Sequence, residues 1–264
     1  MALISVIIPY FNNQDSIEET LNSVLNQTHK NFEIIIINDG SENVAIDFLN
    51  SIQNTYKFNL ITQKNSGPSS ARNNGALNAN GEYLLFLDAD DTIHKTYLQK
   101  CLDCFTKNSN LQLVNSKAMF FGAKYESWQL PELELLSFLR NNCIHISCLI
   151  KKEVFVNLGM FDTNISYAED WELWLRFIKT YGTDCYYRIP EELFFYRKHH
   201  EKNSLTDKLN TNNYAESCRA YIYKKHYDFY TEHKLDLLTL YDAVDQAKRY
   251  KYKYRNIWYK KLFK

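Results

Sequence analysis

Two pairs of acids, a lone aspartate, an arginine and a histidine are the residues of this chain whose types and spacing could do chemistry. Asp88-Ala89-Asp90-Asp91 puts two carboxylates at i and i+2, and at the end of an extended strand those side chains point the same way. Carboxylate oxygens suit a hard divalent cation, which could neutralise a bound diphosphate. Nothing else in the sequence offers to do so, because the chain has neither G-x-G-x-x-G nor G-x-x-x-x-G-K-[ST], the loops in which backbone amides cradle phosphate. The bland alternative is three solvated turn acids, with Asp91 as the N-cap of the next helix. Against it, the triplet closes an apolar strand, Asp39 stands at another strand end and Arg72 lies in the helix between. Glu169-Asp170 heads a second helical stretch, and His199-His200 follow a strand-like one. Helix capping and plain solvation are the respective alternatives. Cys101-Leu102-Asp103-Cys104 has half the spacing of a zinc site but no second close pair, and reads as buried thiols.

The elements that must position these residues alternate two periods. Leu3–Pro9 is a short apolar run, and Asp15-Ser16-Ile17-Glu18 has the form of a capping box before a stripe of Ile17, Leu21, Val24 and Leu25. Phe32–Ile37 is a β-branched run of the kind buried on both faces of a parallel sheet, and it stops at Asn38-Asp39-Gly40-Ser41. A helix over 44–55, a strand over 58–63, a helix over 69–80 and a strand over 83–87 follow. This β-α order implies a parallel sheet with right-handed crossovers and helices on both faces. Ligands of such sheets gather beyond the carboxyl ends of the strands, where Pro9–Asn12, Asn38–Ser41, Asn65–Pro68 and Asp88–Asp91 stand. Farther on, helices are expected over 97–107 and 169–181, and strands near 111–121, 145–150 and 193–197. From about Lys208 the chain reads as helical.

The 264 residues carry 31 Lys plus Arg and 31 Asp plus Glu. A net charge of zero argues against a polyanion-binding body. The sum hides a segregation: residues 1–247 hold 23 basic and 31 acidic side chains, whereas 248–264 hold eight basic ones and no acid. With 45% hydrophobic and 15% aromatic residues the chain can bury a sizeable core. No apolar run approaches a membrane span and the start lacks a signal-peptide pattern. A cytoplasmic location with reduced cysteines is therefore expected.

Val6-Ile7-Ile8-Pro9-Tyr10-Phe11-Asn12, Ile37-Asn38-Asp39-Gly40-Ser41, Gly67-Pro68-Ser69-Ser70-Ala71-Arg72-Asn73-Asn74-Gly75 and Leu87-Asp88-Ala89-Asp90-Asp91 resemble, in order, the motifs of family 2 glycosyltransferases. Gly159–Asp162, Ala168–Arg176 and Tyr196–His199 extend the resemblance over roughly residues 3 to 206. It implies the GT-A fold: a Rossmann-like, mostly parallel sheet flanked by helices, here with a helical C-terminal extension. Residues 1–100 would be the nucleotide-sugar half, 101–207 the acceptor half and 208–264 the tail. By the same resemblance Asp39 would bind the nucleobase, with Pro9, Tyr10 and Asn12 shaping its pocket. Arg72 would lie near base and phosphates, and Asp88 and Ala89 by the ribose. Asp90 and His199 would hold Mn2+ or Mg2+, and Asp170 would be the general base. Asn38 stands where many relatives have a second Asp, and Arg197 is either a phosphate partner or structural.

The implied activity is inverting transfer from a nucleotide diphosphate sugar, with UDP expected, to a hydroxyl of a glycan or lipid-linked glycan in bacterial surface polysaccharide synthesis. A helix N-terminus favours negative charge, so Asp170 is expected to be ionised at neutral pH, while Glu169 reads as a cap. Two competing classes are a nucleotide-sugar pyrophosphorylase, which would need a Gly-rich basic loop after the first strand, and a non-catalytic sugar-binding module, which has no need of Asp170. In the tail, Tyr250, Tyr254 and Trp258 fall on one helical face among the eight basic residues, as in an interfacial helix on anionic lipid. That would make the protein peripheral on the cytosolic face of the plasma membrane. Docking of this helix on the body is the alternative, and no nucleic-acid partner is expected.

Overall fold

The computed structural model describes residues 2–199 and 213–262, with side chains as far as Lys253; Tyr254 and Trp258 of the tail's aromatic set lie outside the described side chains. The chain divides into two compact units, Met1–Cys218 and Arg219–Lys264. The first is built on a sheet whose strands run, in spatial order, Asn59–Gln63, Phe32–Asp39, Ile4–Tyr10, Tyr83–Phe86, Leu149–Lys151, Leu113–Gly122, Tyr186–Lys198 and Thr92–Ile93, with Glu126–Trp128 pairing Leu113–Gly122.

Its first half follows the apolar runs closely. Strands β1 (Ile4–Tyr10), β2 (Phe32–Asp39), β3 (Asn59–Gln63) and β4 (Tyr83–Phe86) are mutually parallel and linked by α1 (Ile17–Leu25), α2 (Asn43–Tyr56) and α3 (Pro68–Asn78). Alternate side chains serve two layers. Ile4, Val6, Ile8, Ile34, Ile36, Leu85 and Leu87 share one core with Ile17, Leu21 and Val24 of α1 and Ala45 and Leu49 of α2. Each fully buried aliphatic side chain of this kind contributes about 1.5–3 kcal/mol. On the other face Ile7, Ile37 and Phe86 are buried; α3 covers the first two, and Phe155 and Phe161 pack on Phe86.

The second half is less regular than a parallel sheet would be. Strands β5 (Thr92–Ile93), β6 (Leu113–Gly122), β7 (Glu126–Trp128), β8 (Leu149–Lys151) and β9 (Tyr186–Lys198) add antiparallel pairs β4·β8, β6·β8, β6·β7 and β5·β9 beside the parallel pair β6·β9. The helices here are α4 (Tyr97–Lys107), α5 (Leu135–Phe138), α6 (Lys152–Asn157) and α7 (Glu169–Tyr181). Helices 97–107 and 169–181 start and stop where their periodicity places them. The strand expected over 145–150 is reduced to three residues, because the Cys148 amide turns back onto the Ile146 carbonyl at 2.7 Å. Conversely β9 is far longer than 193–197, since β6 pairs with it from Tyr186 onward through a bulge.

The capping box at α1 does not form. The helix starts one residue later than the box requires, with Ser16 rather than Asp15 at the cap position and no side-chain cap; the Ser16 hydroxyl lies 2.5 Å from Asn13 Oδ1 and 3.4 Å from the Ala89 carbonyl.

The second unit is helical, with the end of α8 (Tyr214–Lys225), α9 (Tyr227–Glu232) and α10 (Leu237–Leu262). Tyr223 packs on Tyr227 and Tyr230 and donates to the Leu235 carbonyl at 3.1 Å. Side chains 237–253 of α10 are exposed throughout.

Gly75 tests the packing of α3 on the sheet. A Cβ there would lie 2.4 Å from Ile7 Cγ2 and 3.3 Å from Ile37 Cγ1, both in fully buried β-branched residues. Gly75→Ala, which on an open helix would stabilise, is expected to destabilise by about 1–3 kcal/mol. Urea unfolding of the two proteins measures this.

Candidate active site

The loops beyond β1, β2, β3 and β4 come together as the parallel order requires. At the end of β2, Gly40 has φ 73°, and a Cβ there would sit 2.7 Å from the Asn65 amide. Only glycine allows this approach. It brings Asp39, which is buried, to the loop before α3: Oδ1 accepts from Gln63 Nε2 at 2.9 Å and the Ser66 amide at 2.8 Å, and Oδ2 from the Gly67 amide at 2.8 Å. Asp39 therefore organises the loop after β3 rather than the turn before Gly40. Beside it, Pro9 pairs with Ile37 and Tyr10 with Asn38. The Tyr10 hydroxyl is buried, and burial pushes its pKa up to about 12 against a backbone hydrogen bond from Asn13. Asn12, at φ 49°, donates its amide to the Ser41 hydroxyl (3.1 Å) and holds the Glu42 amide with Oδ1 (2.8 Å).

After β4 the acidic turn is closed by the Asp91 amide on the Asp88 carbonyl at 3.1 Å, with Ala89 buried between. Asp88 Oδ1 accepts from Arg72 Nη2 at 2.7 Å, and Arg72 Nη1 donates to Glu169 Oε1 at 2.9 Å. Burial opposes the Arg72 charge, yet the two carboxylates outweigh it and raise the guanidinium pKa. Both of its terminal nitrogens are thus engaged by protein carboxylates. Glu169, expected as a cap, is instead half of this bridge.

Asp90 Oδ2 lies 2.8 Å from His199 Nε2. Burial raises the Asp90 carboxyl against the His199 hydrogen bond, and Asp88 adds to the rise. Asp91 is neither solvated nor a cap. It is 1% exposed, accepts the Arg197 amide at 2.8 Å, and burial with the Asp90 and Asp88 charges drives its pKa well up. Thr96 occupies the position before α4. Arg197 is structural: Nε donates to the Asp90 carbonyl at 2.8 Å, Nη2 to Glu19, and its guanidinium lies over Phe121.

Asp170 opens α7, whose Trp171, Leu173, Trp174 and Leu175 are all buried. Its Oδ1 accepts the Trp171 amide at 2.7 Å and its Oδ2 the Asn142 side-chain amide at 2.9 Å. Burial, helped by Glu169, pushes its pKa up to about 7, against the Trp171 amide, Arg72 and Asn142. The expectation of full ionisation at neutral pH is corrected accordingly. Gln63 and Asn142 escape a sequence reading, since each lies in a stretch with no motif of its own. Arg176 fixes the preceding loop, donating to the Leu158 carbonyl and to that of Met160 at 2.6 Å, with Glu172 as its ion partner.

Among the described residues no three His, Cys, Asp or Glu side chains cluster so as to hold a metal by themselves. A cleft lined by Gly81, Glu82, Lys151 and Lys152 lies at the opposite end of β4 and shares no residue with this site.

The Glycosyl transferase family 2 profile matches residues 5–156. The chain belongs to that family. Curated relatives of this glycosyltransferase include an uncharacterized glycosyltransferase of Rickettsia typhi, 30% identical over 67% of this chain and 59% of that one. Another, from Haemophilus influenzae, is 28% identical over 94% and 82%. The minor teichoic acid biosynthesis protein GgaA of Bacillus subtilis is 27% identical over 92% and 56%. The chain thus spans under three fifths of the Rickettsia and Bacillus proteins. Among solved structures, S. aureus TarS 1–349 in complex with UDP-GlcNAc matches with a TM-score of 0.62 at 20% identity, over 89% of this chain and 76% of that one. The fold is GT-A, as the motifs implied.

Removing one partner of a buried ion pair leaves the others unpaired at a cost of about 3–5 kcal/mol. The Asp88 side chain is 30% exposed, which places this glycosyltransferase's bridge at the lower end. Arg72→Met is expected to lower unfolding stability by about 3 kcal/mol, read by urea denaturation at pH 7.

Proposed function

We propose that this family 2 glycosyltransferase moves a sugar, with inversion, from a UDP-linked donor to a hydroxyl of a glycan acceptor. The carrying observation is Asp170: a half-buried carboxyl at the head of α7, raised to about 7, adjoining the Arg72 bridge to Asp88. A general base works best with a pKa near the operating pH. Asp170 takes the acceptor hydroxyl proton, the oxygen attacks the anomeric carbon, and the bond to the diphosphate breaks with UDP leaving. An α-linked donor gives a β-linked product.

Support for the donor comes from the shared fold with TarS, which has been solved with UDP and with UDP-GlcNAc. In this reading Asp39, Pro9, Tyr10 and Asn12 frame the nucleobase, and Arg72, Asp88 and Ala89 border the ribose and phosphates. Residues 1–100 bind the donor and 101–207 the acceptor. The Asp90–His199 pair, one oxygen and one nitrogen 2.8 Å apart, fits a divalent cation such as Mn2+ or Mg2+ that completes its shell with phosphate oxygens and water. Once bound, the cation supplies charge neutralisation for the departing diphosphate. The name of GgaA, with its role in teichoic acid synthesis, supports a bacterial surface polysaccharide as acceptor.

The decisive assay is UDP-GlcNAc turnover by the intact chain. Asp170→Asn is expected to lower kcat about 1000-fold. Because the base acts only when ionised, wild-type kcat/KM should rise with pH through about 7. Chelator or Asp90→Ala should likewise depress turnover. Undiminished rates in Asp170→Asn would overturn the mechanism.

A lipid-linked acceptor places the reaction at the cytosolic membrane face, and the tail supports this. Among the described residues no helix is long and apolar enough to cross a membrane. Yet α10 carries exposed Leu237, Leu238 and Tyr241 ahead of the segment 248–264, which has eight basic residues and no acid and in which Tyr250 is also exposed, a charge and aromatic pattern suited to anionic headgroups. Vesicles with about 30% phosphatidylglycerol should sediment the chain at low salt and release it at about 1 M salt. Equal sedimentation after deletion of residues 248–264 would refute the tail's role.

A further inference from the structure

We infer that Asn142 is the positioning residue of the base: its side-chain amide fixes the Asp170 carboxylate in place and holds it in the ionised form. The inference rests on the reading of Asp170 as general base and adds a residue that no family motif marks.

Asn142 lies in the irregular segment between α5 and β8. Its Oδ1 accepts the Ile144 amide at 3.0 Å, so the group left to face Asp170 is Nδ2, 2.9 Å from Oδ2. The reverse orientation would set oxygen against carboxylate oxygen and NH2 against N–H, losing both bonds. The segment is itself pinned. Arg188 of β9 donates to the Cys143 carbonyl at 2.5 Å and to those of Leu130 and Pro131 at 3.2 and 2.8 Å. Asn142 is thereby presented from a fixed backbone.

Each Asp170 oxygen then has one fixed donor, Trp171 N–H on Oδ1 and Asn142 Nδ2 on Oδ2. A carboxylate has about four acceptor positions, which leaves room for an incoming hydroxyl. The charged and titratable groups around it pull in opposite senses. Glu169 on the same helix opposes ionisation and Arg72 from α3 favours it. Cys148, from the segment before β8, is kept a neutral thiol by burial. Arg72 is already shared between Asp88 and Glu169. Among the described residues Asn142 is therefore the side chain that donates directly to Asp170. A neutral donor is the right choice here, because a second cation in contact would hold the carboxylate so firmly ionised that it would be a poor base.

The test is the pH profile of kcat/KM for UDP-GlcNAc hydrolysis by the intact chain, in wild type, Asn142→Asp and Asn142→Ala. Asn142→Asp keeps the oxygen that accepts the Ile144 amide, and so preserves the turn while replacing the donor with an acceptor. A hydrogen bond to a charged group is worth about one to two pH units. Asn142→Ala should therefore shift the acid limb up by about one unit, losing roughly five-fold at pH 7 and recovering at about pH 9, and Asn142→Asp should shift it farther. UDP affinity should be unchanged in both. A loss equal at every pH, or limbs that coincide with wild type, would overturn the inference. A wild-type profile with no limb that Asp170→Asn abolishes would instead refute the reading of Asp170.

Discussion

One guanidinium buried between two carboxylates from distant parts of the chain is the interaction on which this site depends. Arg72 comes from α3, Asp88 from the end of β4 and Glu169 from the head of α7. Burying three charges is costly, and the attraction repays it only where geometry is good and the remaining groups are satisfied. The geometry is good here, with both contacts under 3 Å. The bridge carries one net negative charge, and it lies at a helix N-terminus, where the macrodipole favours negative charge. The neighbouring Asn73 exchanges two hydrogen bonds with the Phe161 backbone, each 2.9 Å, while Arg176 ties that same loop to α7. Consecutive residues on α3 thus fasten the end of the parallel sheet to α7, the helix that carries Asp170.

Burial more than this bridge sets how acidic Asp170 is. A helix N-terminus is worth about 0.3–1 kcal/mol to a carboxylate, less than one pH unit. Burial carries Asp170 from the ordinary aspartate range up to about 7, so desolvation dominates and the dipole is the minor effect. Were Glu169 unpaired, its charge would press on Asp170 without compensation. Arg72 offsets that charge and leaves Asp170 with its transition near neutrality. What looks like an acidic pair at a helix start is two carboxylates in different settings, Glu169 paired with Arg72 and Asp170 held by neutral donors.

Residues with strictly local causes were legible beforehand. The β-branched run of β2, the amphipathic period of α4 and the ends of α7 follow from side chains within one element, and the strand-end motifs lie together because a parallel order puts them there. Groups whose partners lie far along the chain were not. Asp15 has the spacing of a cap, but Ser16 takes that position, its hydroxyl shared with the Ala89 carbonyl seventy-three residues away. Glu169 and Asp91 resemble caps until Arg72 and the Arg197 amide claim them. Asn142, in an irregular stretch, and Gln63, at the end of β3, gave no signal, since an isolated side-chain amide declares nothing until its partner is in view. Long-range hydrogen bonds to short polar side chains are the part of this site that periodicity does not encode.

Strand β9 shows how such contacts divide labour between neighbours of similar chemistry. By the strand's alternation Arg197 near its end and His199 just beyond it fall on one face, and both reach the acidic turn. Arg197 is spent on fixed partners: the Asp91 carboxylate receives its backbone amide, the Asp90 carbonyl its Nε, and Glu19 its Nη2. These bonds hold the turn's backbone and leave the Asp90 side chain outside the lattice. His199 meets that side chain at 2.8 Å from an exposed position past the strand's end. A neutral imidazole and a carboxylate meeting across a hydrogen bond can both turn their lone pairs to an incoming cation, whereas an arginine in the same place could offer none. Strand β9, running to Lys198, ends where Arg197 braces the acidic turn and His199 meets Asp90.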